Sequence, residues 1–237
     1  MCLIILIIYK ILIMNCLRII ISINLLFFFT SNALFSQEPF SAEIRLFEQT
    51  DATTPPVLGQ IMLYGSSTFR LWKTAKEDCA YKDLKVVNRG FGGSQTVDAN
   101  RYFERVVVPH QPSYLFFYEG DNDLNAGKSV DSIVMEMRIF IQKVREKLPN
   151  TRLIIISAKP SPARLSLLVK QKQLNKAFRN LRCRQRNIYY LDTMTPMLDA
   201  TGKPKTDIYI DDNLHMNNKG YVIWTALVQS FLKKHVK

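Results

Sequence analysis

The sequence is poor in the residues that announce most kinds of site. Four cysteines occur in 237 residues, and two of them, Cys2 and Cys16, fall in an apolar leader. The remaining Cys79 and Cys183 form at most one bridge, so a disulfide framework is excluded, and whether the two pair is left open. Ser67 is followed by Thr68 and Phe69, so the Gly-x-Ser-x-Gly elbow of one large hydrolase class is missing. The glycines Gly90, Gly92 and Gly93 lack the dinucleotide-binding spacing, and no lysine-serine pair of a phosphate loop follows them. Asp121, Asp123 and Asn125 begin like a calcium loop, but Ala126 stands where that loop requires glycine and Ser132 where it requires glutamate. No stripe of lysine and arginine with interleaved aromatics is present, which argues against a nucleic-acid partner. Nothing in the motifs calls for a cofactor or a metal.

Positive charge, by contrast, is plentiful. The formal charge is +12, and the part beyond residue 36 keeps +10 once Lys10 and Arg18 are set aside. Such an excess favours encounters with acidic polymers or anionic surfaces, but it speaks to association and not to reaction type. The chain is long enough for one α/β domain with a buried core. Residues 1–36 are almost continuous isoleucine, leucine and phenylalanine around Lys10 and Arg18, ending in small residues such as Ser31 and Ala33. They read as a signal peptide, with cleavage near Ala33 or Ser36 and a start at Met1 or Met14, or alternatively as a retained membrane anchor. Residues 37–237 are the expected folded domain, and the protein is expected to be exported.

Beyond the leader, short apolar runs alternate with amphipathic segments. Strands are expected at 61–64, 85–88, 114–118, 152–157 and 188–191, each an apolar run of the kind buried on both faces of a parallel sheet. Val130, Ile133, Met137, Ile141 and Val144 recur at helical spacing, as do Leu174, Phe178 and Leu181, and Tyr221, Trp224, Val228 and Phe231. Residues 37–56 give no clear pattern, and "KPSPAR" at 159–164 reads as a proline-punctuated loop. The rhythm predicts a doubly wound sheet of about five parallel strands with helices on both faces, whose ligand site lies beyond the carboxyl ends of the strands.

The stretch "IMLYGSSTFRLW" then places Gly65, Ser66 and Ser67 at the end of the first strand. A serine there is either a helix cap or a nucleophile near the positive end of a helix. A nucleophilic serine needs a base, and only three histidines compete. His110 precedes the third strand and His235 lies in the basic tail, so both are expected at the surface. His215, in "DDNLHMNNKGY", has Asp212 three residues before it, a spacing that lets a carboxylate hold one ring nitrogen while the other faces a serine. Without a partner the same spacing is a loop hydrogen bond. Donors for an oxyanion are available in "VVNRGFGGSQT", through the Gly92-Gly93 backbone, and in "FFYEGDNDLNAG", through the Asn122 side chain.

With "YGSS", "NRGFGGSQ", "GDND" and "DDNLH" in this order over nearly the whole domain, the chain resembles the SGNH hydrolases, the GDSL-like lipase and acylhydrolase superfamily. The resemblance implies a flavodoxin-like three-layer α/β/α sandwich. It implies Ser67 as nucleophile, His215 as base and Asp212 as acid, with the oxyanion hole formed by the Ser67 and Gly93 N–H groups and Asn122. Ser66 stands where the family usually carries the aspartate of Gly-Asp-Ser, a residue outside the triad. Glu119 is expected to be solvated or salt-bridged. The loops after the strands look short and offer no lid, which points to short acyl groups on a polar alcohol such as a polysaccharide. A lipase or lysophospholipase of the same superfamily, or a non-catalytic module binding a glycan or phosphate, are the alternatives.

Overall fold

The computed structural model describes residues 38–182 and 186–236. The leader and any pairing of Cys79 with Cys183 lie outside the described residues. The fold is that of the unit Phe40–Lys237, and it is built on five parallel strands, β1 (Ile61–Gly65), β2 (Val86–Gly90), β3 (Tyr114–Tyr118), β4 (Arg152–Ile156) and β5 (Ile188–Leu191). Their order across the sheet is β2-β1-β3-β4-β5. The chain leaves β1 toward one edge and returns on its other side at β3, so the crevice between the carboxyl ends of β1 and β3 is where such a sheet offers a ligand site.

Period-two alternation sorts each strand between two cores. Met62 and Tyr64 of β1, with Leu115 and Phe117 of β3, pack under α4 (Thr96–Val106), α6 (Val130–Lys147) and α7 (Leu168–Leu181). Phe117 and Phe140 stack there with ring centroids 3.8 Å apart. Ile61 and Leu63, with Phe116 and Tyr118, pack instead in the cluster formed by Trp224 and Val228 of α8 (Asn218–His235), Phe69 of α2 (Ser67–Arg70) and Ala75 of α3 (Ala75–Asp78). Both faces of the sheet are therefore covered, as continuous apolar strands demand. Among the described residues no helix is long and apolar enough to cross a membrane.

Differences from the sequence reading fall at element ends and in loops. β1 runs on through Gly65, β2 is shifted to Val86–Gly90, and β4 stops at Ile156. Residues that gave no clear pattern form α1 (Ser41–Thr53), in which Ser41 and Ile44 alone are buried, too narrow an apolar stripe to show as periodicity. The connection from β5 to α8 is not short. It spans residues 192–217 with one 3₁₀ turn, Thr195–Met197, and is held by local bridges at Leu198–Pro204 and Tyr209–Met216 rather than by a helix.

Candidate active site

β1 ends at a close approach. Gly65 has φ +133°, and a Cβ placed there would lie 2.1 Å from the Tyr118 carbonyl oxygen of β3, so only glycine fits. The next residue, Ser66, is buried and extended, and its N–H reaches the same Tyr118 carbonyl at 3.2 Å. Ser67 therefore opens α2 at the mouth of the β1–β3 crevice, partly exposed, with its N–H meeting no acceptor among the described residues. Its Oγ lies 3.0 Å from His215 Nε2.

His215 comes from the tight turn before α8. Asn213 adopts a left-handed conformation (φ 55°), and Asp212 Oδ1 accepts the backbone N–H groups of Leu214 (2.9 Å) and His215 (2.8 Å). The other carboxylate oxygen, Oδ2, stands 2.5 Å from His215 Nδ1. An ionised carboxylate only accepts, so Nδ1 carries the hydrogen and Nε2 presents its lone pair to the Ser67 hydroxyl. Burial raises the Asp212 pKa, but the bonds from the His215 ring and the two amides outweigh it and hold the carboxyl below its ordinary value. The turn is fixed on both sides. Asn217 caps α8 by accepting from the Lys219 and Gly220 amides, and Tyr221 in the first turn of α8 donates its hydroxyl to the Thr68 carbonyl of α2 at 2.9 Å. One helix thus registers the histidine turn against the serine.

The loops after β2 and β3 complete the crevice. The Phe91 N–H donates to the Gly65 carbonyl at 2.8 Å, tying the β2 loop to the end of β1. Gly93 is exposed at φ +80°, and among the described residues a Cβ there would touch nothing and its N–H has no acceptor. Asn122, in α5 (Asp121–Asn125), gives one Nδ2 hydrogen to the Ser94 carbonyl at 2.8 Å, and its Oδ1 accepts from Arg164 Nη2 at 2.9 Å. The second Nδ2 hydrogen remains for another acceptor. The expected residues are brought together as a serine–histidine–aspartate line, with the loops carrying Gly93 and Asn122 laced to one another beside it.

Three expectations need correction. His110 is not at the surface: it is 3% exposed, and its Nε2 lies 3.0 Å from Asp51 Oδ2, with Arg89 Nη2 at 3.5 Å. The partners that allow its burial come from α1 and β2, far away in sequence. His235 is half-buried, its ring 4.3 Å from that of Phe231 and 4.7 Å from that of Tyr189. Glu119 is neither solvated nor salt-bridged. It is 1% exposed, accepts the Ser94 hydroxyl on Oε1 at 2.6 Å, and burial pushes its carboxyl well above the usual range. The acids of the calcium-like stretch have internal partners: Asp121 accepts from Arg164 and Gln171, and Asp123 from Thr96 and Lys128. Among the described residues no group of three or more potential ligands could hold a metal.

Sequence reasoning missed the residues that hold the site from behind. Glu43 of α1 accepts from Arg70 (3.1 Å) and from the Gly92 N–H (3.3 Å), steadying the glycine loop. Lys159 and Arg164 reach the site from the loop after β4; two cations inside a buried proline-punctuated segment were the available signal. A groove of about 610 Å³ between α6 and α7, lined by Val134, Arg138, Ile141 and Arg145 among others, includes neither Ser67 nor His215.

A family model described as the GDSL-like lipase/acylhydrolase family matches residues 63–223. No curated protein matches the sequence. Among solved structures, a Streptococcus pneumonia protein provisionally described as a platelet activating factor superposes with a TM-score of 0.71 at 19% identity, covering 92% of this chain and 99% of that one. A GDSL-like lipase from Bacteroides thetaiotaomicron gives 0.68 at 17% identity over 81% and 98%. A carbohydrate esterase family 3 protein from Talaromyces cellulolyticus gives 0.58 at 19% identity over 75% and 97%. At these identities the likeness is one of fold.

Proposed function

The chain belongs to the GDSL-like lipase/acylhydrolase family, a family of ester hydrolases, and from that premise we propose that it cleaves carboxylic esters with Ser67 as nucleophile, His215 as general base and acid, and Asp212 as the carboxylate that orients the imidazole. His215 Nε2 takes the Ser67 proton as Oγ attacks the ester carbonyl. The Ser67 and Gly93 N–H groups and the Asn122 amide receive the oxyanion. His215 returns the proton to the departing alcohol, and water, activated by the same imidazole, releases the acid from the acyl-enzyme. The observation that carries this reading is the 3.0 Å approach of Ser67 Oγ to His215 Nε2, with the 2.5 Å contact to Asp212 behind it. A fluorophosphonate is expected to label Ser67 alone and to leave Ser67→Ala unlabelled. Labelling of Ser66, or none, overturns the assignment and favours a non-catalytic binding module.

The proposed substrate is a short acyl ester of a polar alcohol, a carbohydrate in the first instance. The partial exposure of Ser67, Asn122 and His215 supports it, as does the fold shared with a carbohydrate esterase. Exposed Leu165 and Ile210, on the loops that carry Arg164 and His215, favour a second reading in which a longer acyl chain lies across them. p-Nitrophenyl acetate and butyrate are expected to show higher kcat/KM than the palmitate ester, and the reverse order selects the lipase reading. We further propose export through residues 1–36, tested by an N-terminus between Leu34 and Glu38 in exported protein; an intact leader in the membrane fraction selects the anchor.

A further inference from the structure

Lys159 is buried more completely than its chemistry favours. Its side chain is 1% exposed, and among the described residues no carboxylate forms an ion pair with it. Burying an ammonium without a counter-ion is costly, so a compensating contact is expected. That contact is to the backbone of the histidine turn: Nζ donates to the Leu214 carbonyl at 2.5 Å, one residue before His215, and lies 5.6 Å from the centre of the Tyr209 ring. The same loop touches the turn twice more, through the Ala163 N–H to the Asn213 carbonyl at 3.1 Å and through the Tyr209 hydroxyl to the Pro160 carbonyl. At its other end Arg164 forks, Nη1 to Asp121 Oδ2 at 2.5 Å and Nη2 to Asn122 Oδ1 at 2.9 Å. Gln171 joins the two ends, its Nε2 donating to Asp121 Oδ1 at 2.9 Å and to the Lys159 carbonyl at 3.0 Å.

We propose that the loop following β4 braces both halves of the site, with Lys159 as a positioning residue for His215 and Arg164 as a positioning residue for Asn122. The proposal rests on the ester-hydrolase roles given to those two residues. Lys159 fixes the peptide plane between Leu214 and His215, and so the height of the imidazole above Ser67. Arg164 occupies the Asn122 carbonyl oxygen, which settles the orientation of the amide and keeps Nδ2 toward Ser94 and the crevice. A displacement of about 1 Å in either group is enough to cost on the order of 100-fold in rate.

The lysine makes the brace sensitive to pH. Burial pushes its pKa down to about 8, against the upward pull of the Asp121 and Asp212 carboxylates and with a downward push from Arg164. Loss of the proton as pH rises through that value weakens the bond to the Leu214 carbonyl, so kcat falls on the alkaline side while KM changes little.

The test is steady-state hydrolysis of p-nitrophenyl acetate by the full chain from pH 6 to 9.5, corrected for spontaneous hydrolysis, with Ser67 labelling by a fluorophosphonate in parallel. Lys159→Met is expected to lower kcat at pH 7 by roughly 10–100-fold with KM little changed, and to lose the alkaline fall that the native protein shows. Arg164→Lys is expected to lower kcat in the native background and to add little further loss in the Asn122→Ala background, because both act through one amide. A native kcat that stays level from pH 6.5 to 9.5 overturns the lysine arm, even where Lys159→Met does not fold. Additive losses from Arg164→Lys and Asn122→Ala overturn the arginine arm. Either result with Ser67 still labelled leaves the ester-hydrolase reading standing, whereas absent labelling overturns that reading and the brace together.

Discussion

Among the described residues two histidine–aspartate pairs stand in contrast, one made through Nδ1 of His215 and the other through Nε2 of His110. His215 meets Asp212 at 2.5 Å and His110 meets Asp51 at 3.0 Å. What separates them is the ring nitrogen that the carboxylate leaves free. Beyond His215 stands the Ser67 hydroxyl, in a half-open crevice where a substrate can enter. On His110 both Asp51 and the Arg89 guanidinium, itself ion-paired to Asp51, approach the one nitrogen Nε2, and the other, Nδ1, is buried without a hydrogen-bond partner among the described residues. Burial lowers the His110 pKa, and Arg89 adds to that against the opposing pull of Asp51, so the ring is held neutral and has nothing to activate. A carboxylate on an imidazole is therefore not a catalytic signature by itself; the group on the far side of the ring decides.

The largest effects break the comparison at that second nitrogen. Ser67→Ala and His215→Ala are each expected to reduce kcat/KM by roughly 10⁴–10⁶-fold, because the two act as a unit. His110→Ala is expected to keep a near-native kcat. Purified variants assayed on p-nitrophenyl acetate decide this, and equal losses from both histidines would show that the serine contact is not what distinguishes them.

Stability should invert the ranking. Asp51→Ala leaves Arg89, whose side chain is 11% exposed, without its carboxylate, and the expected loss is roughly 3–5 kcal/mol in denaturant unfolding. Asp212 has a side chain 41% exposed, so Asp212→Asn is expected to cost less than about 1 kcal/mol while lowering kcat by roughly 10⁴-fold. A large fall in stability at Asp212, or in kcat at Asp51, would merge the two pairs into one kind of site. A smaller effect sharpens the contrast on the active side: Asn122→Ala is expected to lower kcat by roughly 10²–10³-fold with a lesser change in KM, as suits a donor used in the transition state.

The same comparison explains what could be read from sequence. The five parallel strands followed from apolar runs buried on both faces, and Asp212 with His215 as a candidate pair followed from a three-residue spacing, which is local. Ser67, Gly93 and Asn122 were legible as candidates because the carboxyl ends of parallel strands lie side by side along one edge of the sheet, and the resemblance gave them their expected roles. His110 was misplaced because its burial depends on Asp51 and Arg89, in segments that show no periodic link to it. Lys159 and Arg164 were legible as a loop and illegible as supports, since their acceptors are a backbone carbonyl and an amide oxygen, groups every sequence offers everywhere. The β5–α8 connection looked short because its bridges leave no helical or alternating pattern.

Glu119 supplies the remaining test, as a buried carboxyl that has no histidine at all. Its Oε1 accepts from Ser94, its Oε2 has no partner among the described residues, and burial raises its pKa well above the usual value, with Asp123, Asp98 and Asp121 adding to the rise against the opposing Ser94 bond. The folded protein therefore keeps a proton that the unfolded chain releases near its ordinary pKa. For an acid raised in this way, stability is greatest below the unfolded pKa and declines as pH climbs toward the folded one. Glu119→Gln preserves the shape and the neutral charge, and removes the titration. It is expected to be close to the native protein in stability near pH 4 and to gain on it steadily through neutrality, with kcat little changed. Denaturant midpoints of both proteins across pH 4–8 check this. A variant that instead loses ground as pH rises would mean that Glu119 is ionised in the folded state, held there by a charge interaction.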